Sequence, residues 1–236
     1  SIPTELMSTH SSSALHIKCT DAAILDKSQK EYLTLYGAAN TTDVLTSSST
    51  PPYIGAAWQN TSAIKLLQSS SRDYIYPQNI DLSDEPFTSE SWVYATTHSA
   101  GGYVLIDFRP NGSSSGDYFN LFLENGVPRL QAPSLISNTT LSINTWYHLA
   151  VTKDTSSATH VLRMYVDGTK VAQTDDNRTW LTGTDRPLIG AIGYNTSNLG
   201  GYNFKGYIQD FRISLGLARY TADDETSNRP SSPLKG

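Results

Sequence analysis

Carboxylate, thiol and imidazole side chains are the groups in this sequence that could do chemistry, and their spacing suits little of it. Cleaving a glycosidic bond takes two carboxylates flanking it. The chain has six glutamates, Glu5, Glu31, Glu85, Glu90, Glu124 and Glu225. None lies two or four residues from another acid inside a run that reads as a strand, where a period of two would place both on one face. Glu90 shares a face with Trp92 by that period, and a lone strand glutamate is expected to be solvated or hydrogen-bonded. Cys19 falls in the run Leu15–Cys19, where a small buried thiol is the ordinary outcome. The five histidines, His10, His16, His98, His148 and His160, include no i, i+4 pair of the kind that holds zinc. The expectation is a protein that is not an enzyme.

Recognition chemistry fits the composition better. A sugar needs a flat aromatic against its C–H face and amide, carboxylate or guanidinium groups for its hydroxyls. Tyr53, Trp58, Arg109, Asn111, Trp180, Tyr194, Asn195 and Tyr202 are of those types in or beside turn-rich segments. Trp180, Tyr194, Asn195, Tyr202, Arg109 and Asn111 form the candidate glycan-binding set; Trp92 and Trp146 are expected to stabilise the fold. The net charge is −5 with no basic run, so a nucleic-acid backbone is excluded as the partner. No stretch approaches the roughly 20 apolar residues of a membrane span. With one cysteine, Cys19, no intrachain disulfide is available. Six Asn-x-Ser/Thr triplets begin at Asn40, Asn60, Asn111, Asn138, Asn177 and Asn195, which a chain this rich in Asn, Ser and Thr produces by chance. Ser1-Ile2-Pro3-Thr4 lacks the charged and apolar regions of a secretory signal, and whether the chain is complete or an excised domain stays open.

The elements that must position these residues are strands. Hydrophobic residues make up 38% and charged residues 17%, with 14 Tyr among the aromatics, enough to build a core. Val, Ile, Tyr, Thr and Phe cluster in short runs between Gly, Asn, Asp, Pro and Ser, and helical periodicity is almost absent. The runs predict strands over Ser91–Thr97, Tyr103–Arg109, Tyr118–Glu124, Trp146–Lys153, Val161–Asp167, Lys170–Thr174, Leu188–Gly193 and Gly206–Ser214. Leu15–Cys19, Tyr32–Tyr36, Ile64–Leu67 and Asp73–Tyr76 give a weaker set. Asp167-Gly168 between Leu162/Met164/Val166 and Lys170-Val171-Ala172 spells a β-hairpin with a positive-φ turn. The expected fold is all-β, two antiparallel sheets packed as a jelly-roll sandwich. Residues 1–13 read as an N-terminal arm, 14–221 as the sandwich and 222–236 as a C-terminal tail whose Asp223-Asp224-Glu225, Pro230 and Pro233 suit neither strand nor core. Ser47–Pro52, Gly112–Gly116 and Asn195–Gly201 read as surface loops, and Leu215–Tyr220 as a short helical turn.

Five segments occur in an order that resembles a known family. They are Phe87–Tyr94 (FTSESWVY), Trp146–Thr152 (WYHLAVT), Leu162–Gly168 (LRMYVDG), Pro187–Gly190 (PLIG) and Phe204–Ile213 (FKGYIQDFRI). Together with Ile64–Tyr76 they resemble the laminin-G-like branch of the concanavalin A-like lectin/glucanase superfamily, over about residues 14–221. Phe211–Thr221 (FRISLGLARYT) resembles the version of this domain carried by bacteriophage virion proteins of tail or capsid. Two positions depart from the family pattern: Ser89 and Ser91 stand where apolar residues are usual, and Gln209-Asp210 where paired acids are usual.

The resemblance implies a jelly-roll sandwich that binds glycan or protein and often one calcium ion. Asp73 and Asp210 are the implied calcium ligands, followed by Asp107 and Asp117, since calcium takes carboxylates and backbone carbonyls. It further implies a virion structural protein, a capsid decoration, head fibre or tail-associated module, located on the virion. Its partners would then be capsid or tail proteins met through the terminal arms and a host-surface glycan, with a homo-oligomer as one outcome. The alternative is a carbohydrate-binding module or lectin domain of a bacterial surface or secreted protein.

Overall fold

β-Branched and aromatic residues alternating with polar ones make each strand two-faced, and two such surfaces must cover each other. The computed structural model describes residues 13–19, 24–26, 33–36, 47–48, 63–66, 74–77, 79–82, 84–110, 116–183, 186–195, 198–199 and 202–230. In chain order the strands are β1 (Ser13–Cys19), β2 (Ile24–Asp26), β3 (Leu33–Tyr36), β4 (Ser47–Ser48), β5 (Ala63–Leu66) and β6 (Tyr74–Pro77). Then come β7 (Phe87–Ala95), β8 (Tyr103–Asp107), β9 (Asn120–Glu124), β10 (Val127–Leu130), β11 (Leu135–Ile136) and β12 (Trp146–Asp154). The last are β13 (Val161–Val166), β14 (Thr169–Asp175), β15 (Leu188–Ile189), β16 (Gly193–Asn195), β17 (Asn198–Leu199) and β18 (Gly206–Leu215).

One sheet runs β14-β13-β12-β7-β18-β1-β2, with β5 also pairing β18 and β4 pairing β5. The other runs β11-β10-β9-β8-β15-β6-β3, and β16 pairs β17 separately. All strand pairs are antiparallel. The all-β two-sheet sandwich expected from the sequence is therefore the observed architecture.

The core lies between the sheets. Val93, Leu149, Val151, Leu162 and Met164 from the first meet Ile106, Leu121, Leu123, Leu130 and Ile189 from the second. Each such side chain contributes about 1.5–3 kcal/mol by leaving water. At one end Phe87, Phe119 and Trp180 pack edge to face, with ring centroids 5.4 to 6.1 Å apart. Ser89 and Ser91 are buried on the core side of β7. Ser89 lies between Val151 and Ile213 and Ser91 beside Leu149, so the neighbours supply the apolar bulk.

Turns set the register. Asp167 (φ 51°) and Gly168 (φ 81°) close the β13–β14 hairpin as the sequence requires. Asn125 (φ 51°) and Gly126 (φ 83°) close a second hairpin, β9–β10, that the strand prediction passed over. Two other expectations are corrected. Leu215–Tyr220 forms no helical turn: β18 runs to Leu215 and residues 217–220 are irregular, their backbone held by side chains of the sheet beneath. Ser47–Ser48, expected in a loop, pairs with β5.

Residues 222–229, read as the start of a tail, lie with 217–221 as a strap across the outer face of the first sheet. Thr88 Oγ1 donates to Leu217 O (2.9 Å) and accepts from Arg219 N (2.9 Å). Thr152 Oγ1 donates to Tyr220 O and Tyr165 Oη to Ala222 O. Glu225 binds the strap to itself, accepting from the N–H groups of Thr221 and Ala222, and its own N–H donates to Gly168 O. Composition suggested an acid-rich tail; satisfied backbone groups and a buried Glu225 bind residues 222–229 to the sandwich.

Candidate functional site

Strand alternation creates a second, outward surface on the sheet that holds β9. Leu121 and Leu123 enter the core, so Asn120, Phe122 and Glu124 face away from it. Phe122 sits opposite Val104 on β8 and Arg129 on β10. Val104, Asn120, Phe122 and Glu124 floor a recess of about 320 Å3 whose rim adds Gly101, Arg109, Gln131, Ile192 and Tyr202.

Tyr202 forms one wall. Its carbonyl accepts from Val104 N at 2.8 Å, and Asn203 bridges to Val104, so the backbone is fixed beside β8. The ring packs on Gly101, where a β-carbon would come within 2.5 Å of Cε1. Gly102 (φ 83°) is held equally close to Phe122, a β-carbon there reaching 2.8 Å from Cδ2. Tyr202 as a whole is 41% exposed, its ring packed against backbone on one side.

Polar groups form the other wall. Asp107 Oδ1 accepts from Asn120 Nδ2 (3.0 Å) and from Arg109 N (3.2 Å), with Arg109 Nε 3.8 Å away. Arg109 Nη2 donates to Gln131 Oε1 at 3.2 Å, and Tyr118 Oη donates to the same oxygen at 3.3 Å. The guanidinium lies 4.7 Å from the centre of the Tyr118 ring. Glu124 on the floor pairs with Arg129 at 2.6 Å. Bonds among fixed neighbours set the orientation of each amide and of the guanidinium, which lowers the ordering cost of binding a hydroxylated ligand.

Of the expected glycan-binding residues, the structure brings Arg109 and Tyr202 together in this recess. Trp180 goes elsewhere: it packs on Phe87 and Phe119 within the core and does not line the recess. Tyr194 and Asn195 belong to β16. Asn111, like Tyr53 and Trp58, lies outside the described residues. Asn120, Gln131, Phe122 and Glu124 were not singled out. The Asn125-Gly126 dipeptide is the signal that finds them, since a two-residue hairpin there aligns β9 with β10 and carries Gln131 alongside Asn120.

The calcium candidates do not form a ligand set among the described residues. Asp210 (φ 50°) is a buried residue where the β18–β7 register shifts between Gln209 and Arg212. Asp107 is engaged with Asn120 and Arg109, and Asp117 pairs with Arg178 at 3.3 Å. Asp73 lies outside the described residues. Among the described residues no three His, Cys, Asp or Glu side chains converge on one point.

Glu90 occupies an ion network under the strap, on the face of β7 away from the core. Oε1 accepts from Arg212 Nε (2.8 Å) and Nη2 (2.6 Å), and Arg219 Nε stands 3.6 Å from it. Oε2 accepts from Tyr220 Oη (2.6 Å) and His148 Nε2 (3.2 Å). Burial opposes ionisation, but the His148 hydrogen bond and the Arg212 charge outweigh it and hold the carboxyl far below the usual range. Burial first, and the same carboxylate second, push the Tyr220 hydroxyl well above its ordinary value. A general acid for glycosidic cleavage needs the opposite displacement.

Two twisted antiparallel sheets with a polar and aromatic recess on an outer face define a lectin-like sandwich. The family described as the concanavalin A-like lectin/glucanases superfamily (Laminin_G_3) matches residues 69–216, and the chain belongs to it. Domain 4 of AbnA, an extracellular GH43 arabinanase of Geobacillus stearothermophilus solved with arabinotriose, is similar at 16% identity and TM-score 0.59. That similarity covers 86% of this chain and 92% of that one. The binding domain of Paraclostridial Mosquitocidal Protein 1 is similar at 15% identity and TM-score 0.59, over 88% of this chain and 49% of that one. The binding domain of botulinum neurotoxin DC, solved in complex with SialylT, gives 13% identity and TM-score 0.55, over 86% and 48%. This chain thus spans about half the length of those toxin domains. No curated protein matches the sequence significantly. No helix among the described residues is long and apolar enough to cross a membrane.

Proposed function

We propose that this domain binds a glycan without cleaving it, in the recess between Tyr202 and the Asp107–Asn120–Arg109–Gln131 lattice. The observation that carries this reading is the pairing of an exposed aromatic ring, fixed on Gly101, with a wall of oriented amides and a guanidinium. A pyranose or furanose ring lies on the aromatic face while its hydroxyls exchange hydrogen bonds with Asn120 and Gln131. The binding rather than catalytic role is supported by the carboxylates themselves. Asp107 and Glu124 are committed to Asn120, Arg109 and Arg129, and Glu90 is buried and held ionised. Similar folds solved with arabinotriose and with SialylT support a sugar as ligand. A glycan array run with calcium and with a chelator tests this, and it also tests Asp73 and Asp210 as calcium ligands. Saturable binding to a defined glycan class, weakened by Tyr202→Ala, is the expected result; silence across the array contradicts it.

A finer reading places the domain on a bacteriophage particle, as a capsid-decorating or tail-associated protein docked through its terminal residues with the recess turned to the host surface. It is supported by the phage-like ending Phe211–Thr221. A carbohydrate-binding module or lectin domain of a bacterial surface or secreted protein fits the recess equally well. Mass spectrometry of purified virions separates the two, since only the first requires the chain to be in the particle.

A further inference from the structure

Beneath the strap, on the opposite sheet from the recess, lies a second cavity of about 310 Å3, lined by Arg212, Leu217, Ala218, Arg219, Tyr220 and Asn228. Its size is at the lower end of the roughly 300–1,000 Å3 typical of small-molecule sites. Two guanidiniums reach it while one carboxylate, Glu90, lies between them. Arg212 spends Nε and Nη2 on Glu90 Oε1. Arg219 reaches that oxygen only at 3.6 Å and gives Nε to Ser214 Oγ at 3.1 Å. Its backbone N–H is tied to Thr88 Oγ1, so the side chain is aimed from a fixed root. No described residue bonds the two Nη groups of Arg219, whose side chain keeps 20% exposure.

The remaining lining completes a ligand-shaped environment. Tyr220 Oη and His148 Nε2 occupy Glu90 Oε2 and Arg212 occupies Oε1, so a single carboxylate faces two guanidiniums. The Arg219 guanidinium is held below its ordinary value by burial first and by repulsion from Arg212 second, with Glu90 opposing. Asn228 donates Nδ2 to Glu225, which fixes its amide at the rim and leaves Oδ1 for a hydroxyl. Leu217 and Ala218 supply an apolar wall. A planar fork of two N–H groups beside a small apolar wall matches a carboxylate or another oxyanion.

We propose that this cavity is an anion-binding site in which the Arg219 Nη groups clamp the carboxylate of an acidic sugar. It lies on a different sheet from the Tyr202 recess and stands on different residues, so the two readings succeed or fail separately. Isothermal titration with glucuronate, inorganic sulfate and glucose tests it on the full chain, comparing the parent with Arg219→Gln, Ala218→Phe and Tyr202→Ala. The expected result is saturable glucuronate binding, weakened at least tenfold by Arg219→Gln and by the cavity-filling Ala218→Phe, and unchanged by Tyr202→Ala. Sulfate competing with glucuronate identifies the oxyanion as the recognised group, and glucuronate binding without sulfate competition identifies the carboxylate on its sugar frame. Absence of glucuronate binding in the parent, equal binding of glucose and glucuronate by Tyr202→Ala, or undiminished binding in a folded Arg219→Gln or Ala218→Phe variant overturns the proposal.

Discussion

The ring of Tyr202 rests on the bare α-carbon of Gly101, so near that a β-carbon there would stand 2.5 Å from Cε1. The glycine therefore sets where the large aromatic face of the recess rim can lie. Gly101→Ala must push the ring outward, and no positive φ adds strain of its own at this position. We expect a drop in glycan affinity of roughly three- to tenfold, about 0.7–1.4 kcal/mol, with a thermal midpoint within a few degrees of the parent. Calorimetric titration beside a thermal melt checks it.

Glu90 governs acid stability. Its folded carboxyl lies below the unfolded value of 4.5, so the stabilisation it gives is complete above that pH and is lost as pH falls through the folded value. The parent should therefore lose stability progressively below about pH 4.5. Glu90→Gln leaves Arg212 buried without its counter-charge and should lose about 3–5 kcal/mol at pH 7. It should also flatten the acid limb of a denaturant-midpoint profile measured from pH 7 to pH 2.

Trp180 separates packing from recognition. Enclosed by Phe87 and Phe119, its replacement by alanine opens a cavity and should cost about 3–5 kcal/mol. Glycan affinity per folded molecule should stay unchanged, which titration at a temperature well below the variant's midpoint would show.

Gly168 joins hairpin to strap. At φ 81° a β-carbon would meet Thr226 Cα at 2.6 Å, and Gly168 O accepts from Glu225 N. Gly168→Ala should destabilise by about 1–3 kcal/mol and free the strap, read as faster amide exchange at Thr221, Ala222 and Glu225.

How far these features were legible in the sequence follows from the range of the interactions that make them. Strands over β7, β12, β13 and β18 announce themselves because alternation is a local signal, and Asp167-Gly168 marks its turn without outside help. β10 did not, since Pro128 argues against a strand and only its pairing with Leu123 overrides that. Trp180 reads as a loop aromatic because its neighbours Phe87 and Phe119 are far away in sequence. The strap was hidden for a related reason. Asp223-Asp224-Glu225 looks solvated until Glu225 is seen to turn back on Thr221, Ala222 and Asn228. Arg109 and Tyr202 were each legible as recognition residues, but their meeting depends on the bridge between Val104 and Asn203 across the sheet.

The central claim, a sugar site built on Tyr202, meets its most direct test in one titration. The best glycan from the array is titrated calorimetrically into the parent and into Tyr202→Ala, with thermal melts confirming that both are folded. Saturable one-site binding in the parent, weakened at least tenfold in the variant at an unchanged midpoint, is what the account predicts. Equal affinity in the two proteins would contradict it.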